Sequence, residues 1–424
     1  MSKVLSGRNT VRPSFILIGL SLLVISALPS KVVAGGDTGH APTFDLMHLW
    51  LADIEAPALQ VLRNAIETAG LEWHEHRVQG NFYGIRTTFS ELVSLGVPPK
   101  AVFWIGGDEL TLMVDAKVVR PISGQLTRGR LRKFLRPEIL TQISHDGAYT
   151  SLPLVIHLQN VALVNKTILK LLNLDHFNSW KQFIEAAPRI KDAGFIPLAM
   201  SDQHWQLRFL FQSMLSDGLS KDEFSDLLLA KRGDAWSRAQ LLKAFKILLA
   251  VKPFANDDFL DLSWNEVIYK VRDGQAALTI SGDFLAPSIR KIETVACTQV
   301  PGEKFVSWSF DVLAFPTLKS PQETQIQDRA IMAMSNPAFL ANFAIKKGGV
   351  PVIEKVNSQE LDNCSARSLT NWTTMDKLFL GSERWRLQFN SISSIAQDFW
   401  RSTDPDPGKY ADLLLQEIKS ISAE

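Results

Sequence analysis

Cysteine is nearly absent from this chain, which carries only Cys297 and Cys364 in 424 residues. A small disulfide-stapled framework is excluded, and zinc ligation is poor, since neither Cys has a second Cys or a His at ligand spacing. Tyrosine is also scarce, with 4 against 11 tryptophans. Beyond residue 34 no apolar run approaches the roughly 20 residues that a membrane-spanning helix needs. The chain has no G-x-S-x-G elbow, P-loop, H-E-x-x-H or C-x-x-C pair, so the usual markers of nucleophilic hydrolysis, phosphate cradling and metal-assisted hydrolysis are missing. Neither sign of charge dominates, with 45 Lys and Arg against 44 Asp and Glu. Such a balance argues against nucleic acid or an anionic membrane as the main partner.

What is present begins at the N terminus. Lys3, Arg8 and Arg12 lead into an apolar run from Phe15 to Leu28, which Pro29 and Val32-Val33-Ala34 follow. This is the pattern of a secretory signal over residues 1–34, with cleavage after Ala34. The alternative is an N-terminal anchor, but the run falls short of bilayer length. Removing Lys3, Arg8, Arg12 and Lys31 leaves 41 basic residues against 44 acidic ones, a formal charge of −3. The mature chain is expected to be soluble and periplasmic, and its size suits two lobes. In an oxidising compartment two thiols most economically form one Cys297–Cys364 disulfide, the alternative being two free buried thiols.

Strand-like and helix-like segments alternate along the chain. Residues 44–50 read as a strand, 58–69 as a helix ending at Gly70, 71–78 as a strand, 89–95 as a short helix and 101–105 as a strand running into Gly106-Gly107. This order is the signature of a parallel α/β layer. A β-prone run covers 148–164, and helices are expected over 166–172 and 180–193. The pattern from Leu207 to Val251 is helical. Strands return at 276–280 and 307–315, and helices at 337–344 and 390–421, broken at Asp404.

Four features bear on chemistry. Gly106-Gly107 after a strand suits a tight turn better than an anion cradle. His74 and His76 share one face of a strand, but with no third ligand the pattern reads as a solvated face with Trp73 packed inward. Arg128, Arg130, Arg132, Lys133 and Arg136 read as a solvated helical face, the sharper alternative being a docking patch for an acidic partner. Finally, Trp50 with Glu55, Trp205, Trp264, Asp283 with Phe284, and Trp308 with Asp311 lie at strand ends or beside glycines. Indole faces pack on pyranose C–H faces while carboxylates bond hydroxyls, so this mix suits carbohydrate recognition.

Six segments then occur in a telling order: FDLMHLWLADIEAPALQVLRNAI (44–66), PLVIHLQNVALVNKTIL (153–169), DAGFIPLAMSDQHWQ (192–206), LSWNEV from 262 to TISGDF (279–284), WSFDVLAFP (308–316) and IKKGGVPVI (345–353). In them the chain resembles the periplasmic sugar-binding proteins of ABC importers, extracellular solute-binding protein family 1, and within it the glucose-binding branch. The resemblance implies a two-lobed α/β clamshell, each lobe a mostly parallel sheet flanked by helices, with three hinge crossings near 154–160, 306–310 and 346–350. It implies an N-terminal lobe of residues 35–155 plus 309–346 and a C-terminal lobe of 156–308 plus 347–424. The cysteines fall where that branch carries a pair. Trp50, Glu55, Trp264, Asp283, Phe284 and Lys347 match sugar-contacting positions, with Phe284 replacing a Trp. Leu49, Gly106 and Ser309 depart from the branch, and Glu383 stands near the place of a His. With His157, Trp205, Trp308, Asp311 and Glu383 these form the candidate ligand-binding set. The implied function is capture of a carbohydrate, without catalysis, cofactor or metal, by a monomer that presents it to membrane permease subunits. The alternative is a sensor reporting to a membrane receptor or histidine kinase.

Overall fold

Alternating apolar residues set the first strand, β1 (Thr43–His48), in which Phe44 and Leu46 are fully buried. The chain continues through α1 (Ala56–Thr68), β2 (Glu72–Arg77), α2 (Phe82–Ser94) and β3 (Ala101–Ile105). Helix α1 turns Leu59, Leu62 and Ile66 inward at helical spacing and stops before Gly70, whose φ of +70° is a glycine conformation. Strands β2, β1 and β3 run parallel, as the alternation of elements requires. Helix α2 starts at Phe82, well before the expected 89. Phe82 packs edge-on against Phe103 and Trp104 at 6.0 and 5.0 Å, and these tertiary contacts extend the helix beyond what its periodicity shows. This computed structural model describes residues 41–80, 82–122 and 124–423, so the expected signal segment 1–34 lies outside the described residues.

Next come α3 (Asp108–Asp115), β4 (Val119–Arg120), α4 (Gln125–Leu131), α5 (Pro137–Ile143) and the hairpin of β5 (Ser144–His145) and β6 (Ala148–Tyr149). The β-prone run then divides into β7 (Leu152–Leu158) and β8 (Val161–Asn165), each buried throughout. After them lie α6 (Lys166–Leu171), α7 (Trp180–Asp192) and β9 (Ile196–Leu198). The helical pattern from 207 to 251 resolves into α8 (His204–Leu215), α9 (Lys221–Leu228) and α10 (Asp234–Val251). Ser220 starts α9 with a capping box to Glu223, which explains one of the breaks. Then come α11 (Trp264–Arg272), β10 (Ala276–Ser281), β11 (Val295–Gln299), β12 (Phe305–Pro316), α12 (Pro321–Met334), α13 (Pro337–Lys347) and β13 (Val350–Pro351). The chain closes with α14 (Asn363–Thr374), β14 (Asp376–Phe379), α15 (Glu383–Arg401) and α16 (Pro407–Ala423).

Among the described residues the first sheet has the order β13-β7-β12-β3-β1-β2, with β14 and β4 also pairing β12. The second has the order β11-β8-β10-β9. Both sheets are mixed rather than mostly parallel. Strand β12 is antiparallel to β3 and β7, and β8 is antiparallel to β10 and β11, because β7 leads straight into β8 through a two-residue turn and β12 returns alongside β7. Two hydrophobic cores form, and the first runs from the first sheet onto Leu163, Ala276 and Val295 of the second sheet. The first core includes Phe44, Phe103, Ile156 and Phe310, and the second core gathers Trp180, Phe211, Phe245, Phe399 and Ile418 from α7, α8, α10, α15 and α16. Such side chains contribute roughly 1.5–3 kcal/mol each when fully buried. Cys297 on β11 and Cys364 on α14 form a disulfide with a Cα–Cα distance of 5.2 Å. Closing 67 residues of chain stabilises the fold by about 4 kcal/mol on the chain-entropy account. No helix of the described residues is long and apolar enough to cross a membrane.

Candidate functional site

His157 lies one residue before the end of β7, opposite Ser309 of β12. Side chains alternate along strands, so Ser309 and Asp311 project with His157 while Trp308 and Phe310 point the other way. Asp283 arrives from the second sheet, in the turn of 3-10 helix (Asp283–Ile289) that follows β10 and Gly282. His157 Nδ1 lies 2.9 Å from Asp283 Oδ1, and Nε2 lies 3.3 Å from Asp311 Oδ2. The second oxygen of Asp283 accepts from the backbone N–H of Leu158 at 3.1 Å. All three side chains are buried. Burial alone would lower the His157 pKa, but Asp311 and Asp283 outweigh it and hold the imidazole up at about 9. The histidine is therefore a cation at neutral pH, and two carboxylates share it.

Phe284, next to Asp283, anchors a ring cluster. Its centroid lies 5.6 Å from His157, 5.6 Å from Trp205, 5.4 Å from Trp264 and 6.4 Å from Phe209. Trp205, Trp264 and Phe284 are half-buried, so each keeps part of its surface open to solvent. On the other side Lys347, at the end of α13, donates from Nζ to Glu55 Oε1 at 2.6 Å, and both side chains are buried. Lys347 Nζ also stands 5.6 Å from the centre of the Trp50 ring, which packs between Phe103 and Phe343. Gly349 closes this side. A Cβ there, at φ +126°, would come within 3.0 Å of His157 Nδ1 and 2.5 Å of the Ile156 carbonyl.

The structure thus brings His157, Asp283, Asp311, Phe284, Trp205 and Trp264 into one contiguous cluster, and pairs Lys347 with Glu55 against Trp50. Trp308 does not join them. It faces the opposite side of β12, buried among Trp372 at 4.9 Å, Phe379 at 4.6 Å and Phe310 at 6.0 Å, so it is a core residue of the first sheet. Glu383 opens α15, and its side chain lies outside the described residues.

Three other expectations are settled by packing. The Gly106 and Asp108 amides donate to the carbonyls of Phe310 and Gly381 at 2.9 and 3.1 Å, so they are spent within the fold. A Cβ on Gly107 would fall 1.9 Å from the Gly381 carbonyl, so the pair serves close approach. Trp73 is buried, and its indole N–H bonds Glu75 at 2.9 Å, while His74 is exposed. Of the five cations in 128–136, Arg130, Arg132 and Lys133 are exposed. Arg136 turns inward and donates from Nε to the Pro351 carbonyl at 2.8 Å.

Two residues missed in the sequence also belong here. Gln159 donates from Nε2 to Ser309 Oγ at 2.8 Å and accepts from Arg208 Nη2 at 3.1 Å. Arg208 interrupts the otherwise apolar stretch Leu207–Leu210 of α8, and a lone charge there was the available signal. Elsewhere, a surface groove of about 840 Å³ lies between α1, α12 and α13 and includes Ala65, Arg329 and Phe339. None of the cluster residues lines it.

Comparison with known proteins agrees with this architecture. Residues 87–305, about half of the chain, match the family described as bacterial extracellular solute-binding protein. A "probable sugar-binding periplasmic protein" of Rhizobium meliloti strain 1021 is 25% identical over 364 residues, covering 82% of this chain and 85% of its own. A protein of the same description from Brucella melitensis biotype 1 is 23% identical over 334 residues, covering 77% of this chain and 79% of its own. In fold, the chain matches a solved chitin oligosaccharide binding protein with a TM-score of 0.75 at 16% identity, over 90% of this chain and 99% of that one. With two sheets, two cores and this family match across its centre, the chain belongs to the bacterial extracellular solute-binding protein family.

Proposed function

We propose that the protein is a periplasmic receptor that captures a carbohydrate between its two lobes and delivers it to the permease of an ABC transporter. The observation that carries this reading is the cluster at the β7–β8 and β12 crossings. A buried His157 cation shared by Asp283 and Asp311 adjoins the half-buried rings of Trp205, Trp264 and Phe284. Carboxylates fixed in this way accept hydroxyl protons in a set direction, and flat indoles cover pyranose C–H surface. The lobe boundaries proposed are 35–155 with 309–346, and 156–308 with 347–424, and closure about the crossings shuts the ligand from water. The names of the relatives support the sugar and the periplasm, and the signal pattern over residues 1–34 supports export.

Thermal shift against a panel of mono- and oligosaccharides tests this. At least one should raise the melting temperature in a saturable way, as ligand binding to the native state requires. Trp264→Ala should weaken that ligand by about tenfold or more while leaving the fold intact. A complete panel without any shift would overturn the carbohydrate reading.

A further inference from the structure

Several arginines of the described residues meet no carboxylate, among them Arg136, Arg189 and Arg329, which bond backbone carbonyls, and Arg208, which lies beside the proposed site. Arg86, Arg232, Arg238 and Arg401 each meet a carboxylate. Arg208 instead donates to two neutral amides, from Nη1 to Gln212 Oε1 and from Nη2 to Gln159 Oε1, both at 3.1 Å. Its guanidinium carbon lies 4.6 Å from the centre of the Phe209 ring and 4.8 Å from that of Phe389. Among the described residues no carboxylate lies within ion-pair distance of it. Burial pushes its pKa down to about 9, which still leaves it charged at neutral pH. Two aromatic neighbours offset part of the cost of half-burying the cation, and the rest of the side chain stays open to solvent. Its charge is therefore open to an anionic partner that the chain itself does not supply.

Position says what that partner touches. Gln159 links Arg208 to Ser309, which shares a face of β12 with Asp311 beside His157. Phe209, the neighbour of Arg208, contacts Phe284 of the ring cluster at 6.4 Å. The guanidinium therefore lies at one end of the proposed sugar site and the two carboxylates at the other. With one histidine cation between two carboxylates, the Asp283 and Asp311 end carries net negative charge, and the Arg208 end is positive.

We infer that the ligand is an anionic saccharide whose acidic group, a carboxylate by its match to the planar guanidinium fork, binds Arg208 while its hydroxyls bond Asp283 and Asp311. The inference rests on the carbohydrate reading and narrows it. Sulfate and phosphate esters share the anionic chemistry, and the arms of the test separate them.

The test is calorimetric titration of the full mature chain at pH 7 with galactose against galacturonate, glucose against glucuronate, and glucose 6-sulfate and glucose 6-phosphate. A uronate should bind at least about tenfold tighter than its neutral partner. Raising the salt should weaken the uronate and spare the neutral sugar. R208Q should abolish the preference, and R208K, which keeps the charge without the fork, should retain part of it. Should R208Q fail to fold, the wild-type comparison and its salt dependence still decide. A sulfate or phosphate ester binding tighter than either uronate would uphold the anion and overturn the carboxylate. Equal affinity for uronate and neutral sugar would overturn the inference and leave the carbohydrate reading standing. Binding of no sugar of any kind would overturn both.

Discussion

On the side of the site reached from β1 and α13, Lys347 and Glu55 meet at 2.6 Å with both side chains largely buried, and Trp50 is wedged between two phenylalanines. On the side reached from the second sheet, Trp205, Trp264 and Phe284 keep part of their surface open, and Arg208 has amides and aromatic rings but no carboxylate among the described residues for partners. Both sides came from the same kind of residue, tryptophans and charges near strand ends, yet one is saturated by the protein itself and the other is not. A buried ion pair with its own counter-ion shapes a wall, because its attraction is already set against its desolvation. Open rings and an uncompensated cation are where binding energy is left for a guest. The ligand's specificity should therefore be written on the second-sheet side.

The comparison breaks most readily at Lys347. K347M leaves Glu55 buried without a cation and should lower stability by about 3–5 kcal/mol in denaturant unfolding. The double change E55Q with K347M should recover most of that loss, since an apolar and amide pair carries no stranded charge. A loss below about 1 kcal/mol for K347M alone would show that this wall is as open as the other.

A smaller effect sharpens the role of the shared histidine. His157 titrates near 9 in the folded chain against an ordinary 6.5, so its stabilisation is complete below 6.5 and is lost as pH rises through 9. Glu303, between β11 and β12, is pushed up to about 8 by burial against hydrogen bonds from Asn160 and Ser307, so its folded form keeps a proton that the unfolded chain releases above about 4.5. Its contribution declines from about pH 4.5 to 8, so it adds to the His157 decline above 6.5. His48 works in reverse: burial pushes it down to about 4 against the pull of Glu75, and stability falls as pH drops from 6.5 to 4. Below 6.5 Glu303 offsets that fall. Calorimetric melting should therefore be highest and nearly flat between about pH 4.5 and 6.5 and fall on either side. H157Q should flatten the descent between 6.5 and 9 and leave the acid limb unchanged. An unaltered alkaline limb in H157Q would mean that Asp283 and Asp311 do not share the imidazole.

Much of the scaffold is readable from local pattern. The strand–helix alternation from Phe44 to Ile105 and the glycine stop at Gly70 follow from period and turn chemistry, and the structure keeps them. The face of β12 is different. Period two places Trp308 opposite Ser309 and Asp311 but does not say which face packs into the core, and the rings of Trp372 and Phe379 settle that for Trp308. Nor can local pattern pair Lys347 with Glu55, which are 292 residues apart. The early start of α2 depends on Phe103 and Trp104, again supplied by another element. Arg208 was visible as a single charge in an apolar helix, but only its neighbours Gln159, Gln212 and Phe389 show that it lacks a counter-ion among the described residues.

The central claim, that ligand is gripped at the strand crossings by the His157 cluster and its rings, is tested most directly by hydrogen exchange read by mass spectrometry, with and without saturating saccharide. Slowed exchange should concentrate in peptides covering 155–160, 203–209, 281–285 and 308–311. Protection confined to the groove between α1, α12 and α13, with those peptides unchanged, would contradict it.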